Sequence, residues 1–229
     1  MAGRPDLSGV WQVKPVPGEV ERMLGNIDVA LVPGDDLTTF SKYFFDILAD
    51  FTPETAPIRP EALAAMRNRP KDYVSPTERC LPEGVPRSDL IGFPFKIVQT
   101  PQQIVLMYEI DNTRRQIYTD GRKLPVDPNP AWLGYSVGRW EGDTLVVDTA
   151  GFNDQVTIDT RGHPHSEQLR IQERFHRIDF GHMELQITVD DPKMYTKPIT
   201  FKVTQLLVPD SDILESFCNE NERDRPHMK

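Results

Sequence analysis

Three of the five histidines, His163, His165 and His176, fall in one short stretch that also holds Glu167 and Glu173. Two histidines separated by one residue point the same way on a strand, and a nearby carboxylate completes a facial ligand set for a transition metal. His163-Pro164-His165 with Glu167 has that spacing, and Glu173 is an alternative third ligand. Gly162 and Pro164, however, place the segment in a loop. There the same histidines serve more simply as loop residues, or as an acid or base at the mouth of a cavity. His176 falls on a polar strand face and His182 opens a strand, so both are expected at the surface.

Carboxylates on apolar strand faces form the second group. In Leu169-Ile171-Glu173-Phe175-Arg177 one face is apolar except for Glu173 and the terminal arginine, whereas Arg170-Gln172-Arg174-His176 is wholly polar. Val105-Met107-Glu109 and Ile213-Glu215-Phe217 also carry a carboxylate on a largely apolar face, although Ile104-Leu106-Tyr108-Ile110 makes the alternative inner face of the former strand. A buried carboxylate must find a partner or take up a proton. Paired with Arg115 or Arg177, Glu173 anchors the fold; unpaired, Glu173 or Glu109 suits acid–base work near neutral pH. Arg115 or Tyr118 would then orient a substrate oxygen. Trp132, Tyr135, Trp140 and Phe152 crowd around one hairpin, as core packing or as a stacking wall for a flat ligand.

Composition removes several function classes. The chain of 229 residues carries 35 acidic and 26 basic side chains, a net charge of −9, so the basic face that phosphate contacts need is lacking and nucleic acid is not an expected partner. No apolar run reaches the length of a membrane span. A Gly-x-Ser-x-Gly elbow and a phosphate-cradling glycine loop are both absent from the sequence, which argues against a nucleophile-elbow hydrolase and a nucleotide cofactor. Cys80 and Cys218 lie too far apart for a local redox or zinc motif. They are two buried thiols or one disulfide; the latter implies a periplasmic or secreted protein, the former a cytoplasmic one. The start Met1-Ala2-Gly3-Arg4 has no secretion signal, and a cytoplasmic start and a trimmed one look alike.

The elements that must position these groups are mostly strands. Gly9–Val13 is the first, ended by Pro15 and Pro17. Phe40, Tyr43, Phe44, Ile47, Leu48 and Phe51 recur with helical period over 38–51, capped by Thr38 or Thr39, and Pro60–Arg69 reads as a second short helix. Residues 70–92 form a long proline-rich irregular stretch. Strands follow at Phe93–Thr100, Gln103–Ile110, Arg114–Thr119, Tyr135–Trp140, Thr144–Thr149, Leu169–Ile178, His182–Val189, Ile199–Val208 and Ile213–Cys218, most joined by tight turns such as Glu141-Gly142-Asp143. A proline-rich passage at 125–130 interrupts them. This is a mainly β antiparallel meander of roughly 8–10 strands that closes on itself to protect its edges. Residues 1–229 read as one domain, with 30–92 as a helical and loop insertion covering the barrel. The 21 prolines concentrate in the insertion and in these loops.

The opening Asp6-Leu7-Ser8-Gly9-Val10-Trp11 resembles the first-strand Gly-x-Trp signature of lipocalins and their calycin relatives. Phe95 to Pro101, Gln116 to Arg122, Tyr135 to Val147, Gly151-Phe152-Asn153-Asp154 and Cys218 to Glu222 resemble a bacterial protein family without an assigned reaction, over residues 80–228. Many members of that family look exported, which favours the disulfide. Lipocalin-like barrels imply a small hydrophobic ligand, or a cofactor-free hydratase, cyclase or isomerase. The expected function is thus a cofactor-independent lyase or isomerase acting on a small hydrophobic, aromatic or polycyclic molecule. Glu173 or Glu109 would be its acid–base group and His163 or His165 would stand at the mouth. A non-catalytic ligand-binding barrel is the second reading. A metal enzyme whose His163-Pro164-His165 resembles cupin ligand spacing is the third. A homo-oligomer is compatible with all three.

Overall fold

The computed structural model describes residues 3–16, 18, 40–70 and 79–218. Nine strands close into one barrel in chain order: β1 (Gly9–Val13), β2 (Phe95–Gln99), β3 (Gln103–Tyr108), β4 (Arg114–Tyr118), β5 (Tyr135–Glu141), β6 (Thr144–Ala150), β7 (Arg170–Arg177), β8 (His182–Asp190) and β9 (Ile199–Leu207). β1 pairs antiparallel with both β2 and β9, as in Gly9↔Ile97 and Trp11↔Leu207, and so joins the first and last strands into a closed barrel. The alternating apolar positions face inward as their period dictates. Trp11, Phe95, Ile97, Leu106, Tyr108, Phe175 and Leu185 are nearly or fully buried and fill the interior. On β7 the inner row is Ile171, Glu173 and Phe175, with the polar row outside.

One neighbouring pair breaks the antiparallel rule. β4 and β5 run parallel, joined by the proline-rich passage, and are in register only at Ile117↔Ser136 and Tyr118↔Val137. A parallel neighbour needs a crossover back to the starting end of the sheet, and 119–134 supplies it along the outside of the wall. Gly134 makes the corner into β5 at φ +65; a Cβ there would meet the Ala150 carbonyl at 2.9 Å. Above the short register the two strands separate.

The segment expected as strand Ile213–Cys218 is not one. β1 already occupies the free edge of β9, and the segment lies outside the wall, clamped by side chains: Leu214 N donates to Glu109 Oε2 (2.8 Å) and Ser216 N to Asn112 Oδ1 (3.2 Å). The long helix expected over 38–51 is also shortened. α1 spans only Lys42–Phe45, capped by Ser41. Ile47 N turns to Asp159 Oδ2 (2.8 Å) and Leu48 N to Asp46 Oδ1 (2.8 Å), so two amides that would have continued the helix are taken by carboxylates. The suggested caps Thr38 and Thr39 lie outside the described residues. α2 (Pro60–Arg67) matches its proline start, and α3 (Arg87–Leu90) lies in the proline-rich stretch.

These helices sit over the end of the barrel where β1 finishes and β9 begins. Tyr43 stacks on the inward Phe201 with ring centroids 4.2 Å apart. Ser41 N donates to Leu90 O, Thr160 N to Phe44 O and Thr196 N to Pro57 O. The lid is therefore woven from 40–70, 79–92, 151–169 and 191–198. A disulfide joins Cys80 to Cys218, with Cα atoms 5.5 Å apart, and ties the α3 loop to the segment beyond β9. No helix among the described residues is long and apolar enough to cross a membrane.

Candidate functional site

Inward positions of five strands and one lid helix bring a polar set into the apolar interior. β4 contributes Arg115, β7 Glu173, β5 Ser136, β6 Thr149, β3 Tyr108 and α3 Asp89, each at most 2 % exposed. Arg115 spends four of its five N–H donors on the interior. Its Nε donates to Ser136 Oγ (2.9 Å), Nη1 to Glu173 Oε1 (2.9 Å), and Nη2 to Thr149 Oγ1 (2.7 Å) and to Glu173 Oε2. This two-pronged grip is the geometry that makes a buried arginine–carboxylate pair tolerable. Glu173, the leading acid–base candidate, is thereby held as the anchor of Arg115.

Asp89 is the surplus charge. Its Oδ1 accepts from the Tyr108 hydroxyl (2.7 Å), while Oδ2 stands 3.8 Å from Arg115 Nη1 and makes no hydrogen bond among the described residues. Two carboxylates thus face one guanidinium in a buried interior. Burial, followed by the charge of Glu173, pushes the Asp89 carboxyl up to about 7. Burial also raises the Tyr108 hydroxyl well above its ordinary range, with Asp89 adding to it. Burial opposes the charge on Arg115, but Glu173, Tyr108 and Asp89 together outweigh it and keep the guanidinium protonated.

Where β4 and β5 separate, a groove of about 400 Å³ opens in the outer wall. Its floor is the backs of Arg115 and Ser136, and its banks are Arg114, Tyr118, Trp132 and Tyr135. Tyr118 and Tyr135 stack at 5.3 Å, and the Arg122 guanidinium lies 3.8 Å over the Tyr118 ring and donates to Tyr135 Oη (3.1 Å). Four of the six residues expected to bind substrate, Arg115, Tyr118, Trp132 and Tyr135, therefore converge here. Trp140 lies near the opposite end of β5, beneath the Arg4 guanidinium. Phe152 is buried in the lid, edge-on to His165.

The histidines and glutamates are placed elsewhere. Glu109 follows the end of β3 on the outside, because Ile104, Leu106 and Tyr108 take the inner face. His163 Nδ1 meets Asp159 Oδ2 at 2.6 Å, and Asp46 Oδ1 is 3.8 Å from the same nitrogen. These three buried residues are spaced for a cation. Their oxygens are nevertheless already served: Asp159 accepts from the amides of Ile47, Gly162 and His163, and Asp46 from Leu48 and Arg161. The cluster works as a knot that ties the lid. His165 turns the other way, with Nδ1 3.1 Å from Ser166 O, and burial holds its imidazole below its ordinary range. Glu167 is exposed and paired with Lys193. The expected metal set His163, His165 and Glu167 is therefore not brought together, and Glu173 is across the interior with Arg115.

Asp89, Asp159, Ser136 and Arg114 were not foreseen as site residues. Tyr108 and Thr149 had a signal, since each extends an alternating apolar row. Asp89 had none, lying in an irregular stretch where no period assigns a face. The chain matches no family model, no curated protein and no solved structure. The lipocalin-like description therefore rests on the closed barrel alone.

Proposed function

We propose that this protein is a small-molecule-binding barrel whose ligand lies in the groove between β4 and β5. The observation that carries this reading is a concave seam of about 400 Å³ with three aromatic banks, in a barrel whose interior is filled by its own side chains. Such a volume suits a ligand of one or two fused rings, and stacking surfaces favour a flat one. The seam exists because a parallel pair with a short register cannot seal the wall. The disulfide stabilises the neighbouring loop and fits an oxidising compartment, so export belongs to the same proposal.

Titration of 15N-labelled protein with a library of flat aromatic fragments tests this reading. Binding shifts the Trp132 indole resonance, and Ala131→Trp, which fills the groove from its exposed rim, abolishes the shift. Hits that leave Trp132 unmoved, or that bind Ala131→Trp equally, contradict it.

One observation favours a second reading, cofactor-free lyase or isomerase chemistry. Asp89 carries a protonatable oxygen without a hydrogen-bond partner among the described residues, directly behind the Arg115 floor. A carboxyl titrating near neutral pH is suited to proton transfer, and Asp89 replaces Glu173 in that role. This reading predicts that turnover disappears in Asp89→Asn and persists in Glu109→Gln. Turnover that survives Asp89→Asn excludes it.

A further inference from the structure

Among the described residues, the side-chain polar atoms left uncommitted around the groove are mainly donors. Arg115 has spent four of its five donors on the interior, Ser136 Oγ faces Arg115 and Thr149, and Tyr135 Oη accepts from Arg122. Gln116 Oε1 accepts from the Tyr118 hydroxyl (3.2 Å). Arg114, outward and exposed on β4, has neither an ion pair nor a hydrogen bond among the described residues, and the Trp132 indole N–H has no acceptor there. Charge points the same way. Among the described residues the groove is lined by two arginines and by no aspartate or glutamate, in a chain with a net charge of −9. An unpaired guanidinium beside aromatic faces is complementary to a flat anion.

We infer that the groove ligand is a flat aromatic carboxylate, its ring against Trp132 and Tyr118 and its carboxylate on Arg114. This inference rests on the groove-binding reading and narrows it to one ligand class. A guanidinium offers paired donors to both oxygens of a carboxylate, while the Trp132 ring supplies a face for the aromatic part. An amine is disfavoured, because no carboxylate lines the groove to receive it. The buried Asp89 offers no alternative anchor, since it lies behind Arg115 and repels an anion that moves inward.

The test is calorimetric titration of the full, disulfide-intact chain with 2-naphthoate and with 2-naphthamide, which has the same shape without the charge. The expected result is that naphthoate binds about tenfold more tightly or better, the scale of one charge-assisted hydrogen bond. Arg114→Gln, with an unchanged melting temperature, removes that preference by weakening naphthoate far more than naphthamide. Added salt weakens naphthoate alone. Equal affinities for the two probes, or an Arg114→Gln variant that retains the preference, overturns the anion assignment while leaving groove binding standing. If neither probe binds, the groove reading itself fails along with the inference.

Discussion

Arg114 and Arg115 are consecutive residues of one strand, and the two faces of β4 give them opposite fates. Arg115 points inward, is 2 % exposed, and holds Glu173, Ser136 and Thr149. Arg114 points outward beside a groove and holds nothing among the described residues. The strand period alone makes this division, because a step of one residue reverses the face. The inner arginine is what the interior carboxylates require; the outer one has no such duty and remains available to a ligand. Charge in a barrel is thus structural where its hydrogen-bonding capacity is spent, and useful for recognition where it is not.

The comparison is broken most forcefully at Arg115. Arg115→Ala leaves two buried carboxylates without their cation and destabilises the fold by about 3–5 kcal/mol in chemical denaturation. Replacing Arg115 by Met and Glu173 by Leu together recovers a large part of that loss, because burial of the pair itself stabilises little. Recovery by the double variant distinguishes an anchor from an essential charge. Next in size is the disulfide that ties the α3 loop to the segment beyond β9. Reduction lowers stability by about 2–4 kcal/mol, read as a fall in the denaturation midpoint on adding a reductant.

Asp89 sharpens the comparison through pH. Its folded value of about 7 lies above the value of about 3.9 for an unfolded aspartate. Between these values the folded chain holds a proton that the unfolded chain has released. Its contribution to stability is therefore complete below the unfolded value and is lost as pH rises through 7. The slope approaches at most about 1.4 kcal/mol per pH unit. Asp89→Asn removes this component, so the stability difference between wild type and variant, measured from pH 4 to 8, moves in the variant's favour as pH rises. A difference that is flat with pH contradicts the surplus-charge description. The smallest effect is at Arg114, where Arg114→Gln changes stability by less than about 0.5 kcal/mol.

Much of the barrel was legible in the sequence because alternation and turn dipeptides are local. The inward placement of Glu173 follows from period alone; charge offered Arg115 or Arg177 as its partner, and the barrel's closure brings Arg115 to it. What escaped depends on tertiary partners. The helix over 38–51 carries the right spacing, yet Asp46 and Asp159 capture its amides, and Asp159 lies more than a hundred residues away. Ile213–Cys218 alternates like a strand, but the edge it would have joined is filled by β1. His163 and His165 have the spacing of a ligand pair, and the loop turns one toward Asp159 and the other toward Ser166. Of the four aromatics expected to crowd one hairpin, Trp132 and Tyr135 line the groove, with Tyr118 beside them, whereas Trp140 and Phe152 lie elsewhere. The groove's location outside the barrel arises from the parallel β4–β5 pair, a topological fact that no residue pattern records.

The most direct measurement is side-chain 15N NMR of the arginine Nε–H and tryptophan Nε1–H groups during titration with 2-naphthoate. The division between the two faces of β4 predicts that Arg114 and Trp132 shift together and saturably, while the Arg115 signal stays fixed on its Ser136 partner. A shift at Arg115 with Arg114 unmoved, or saturable binding that moves neither arginine, would contradict it.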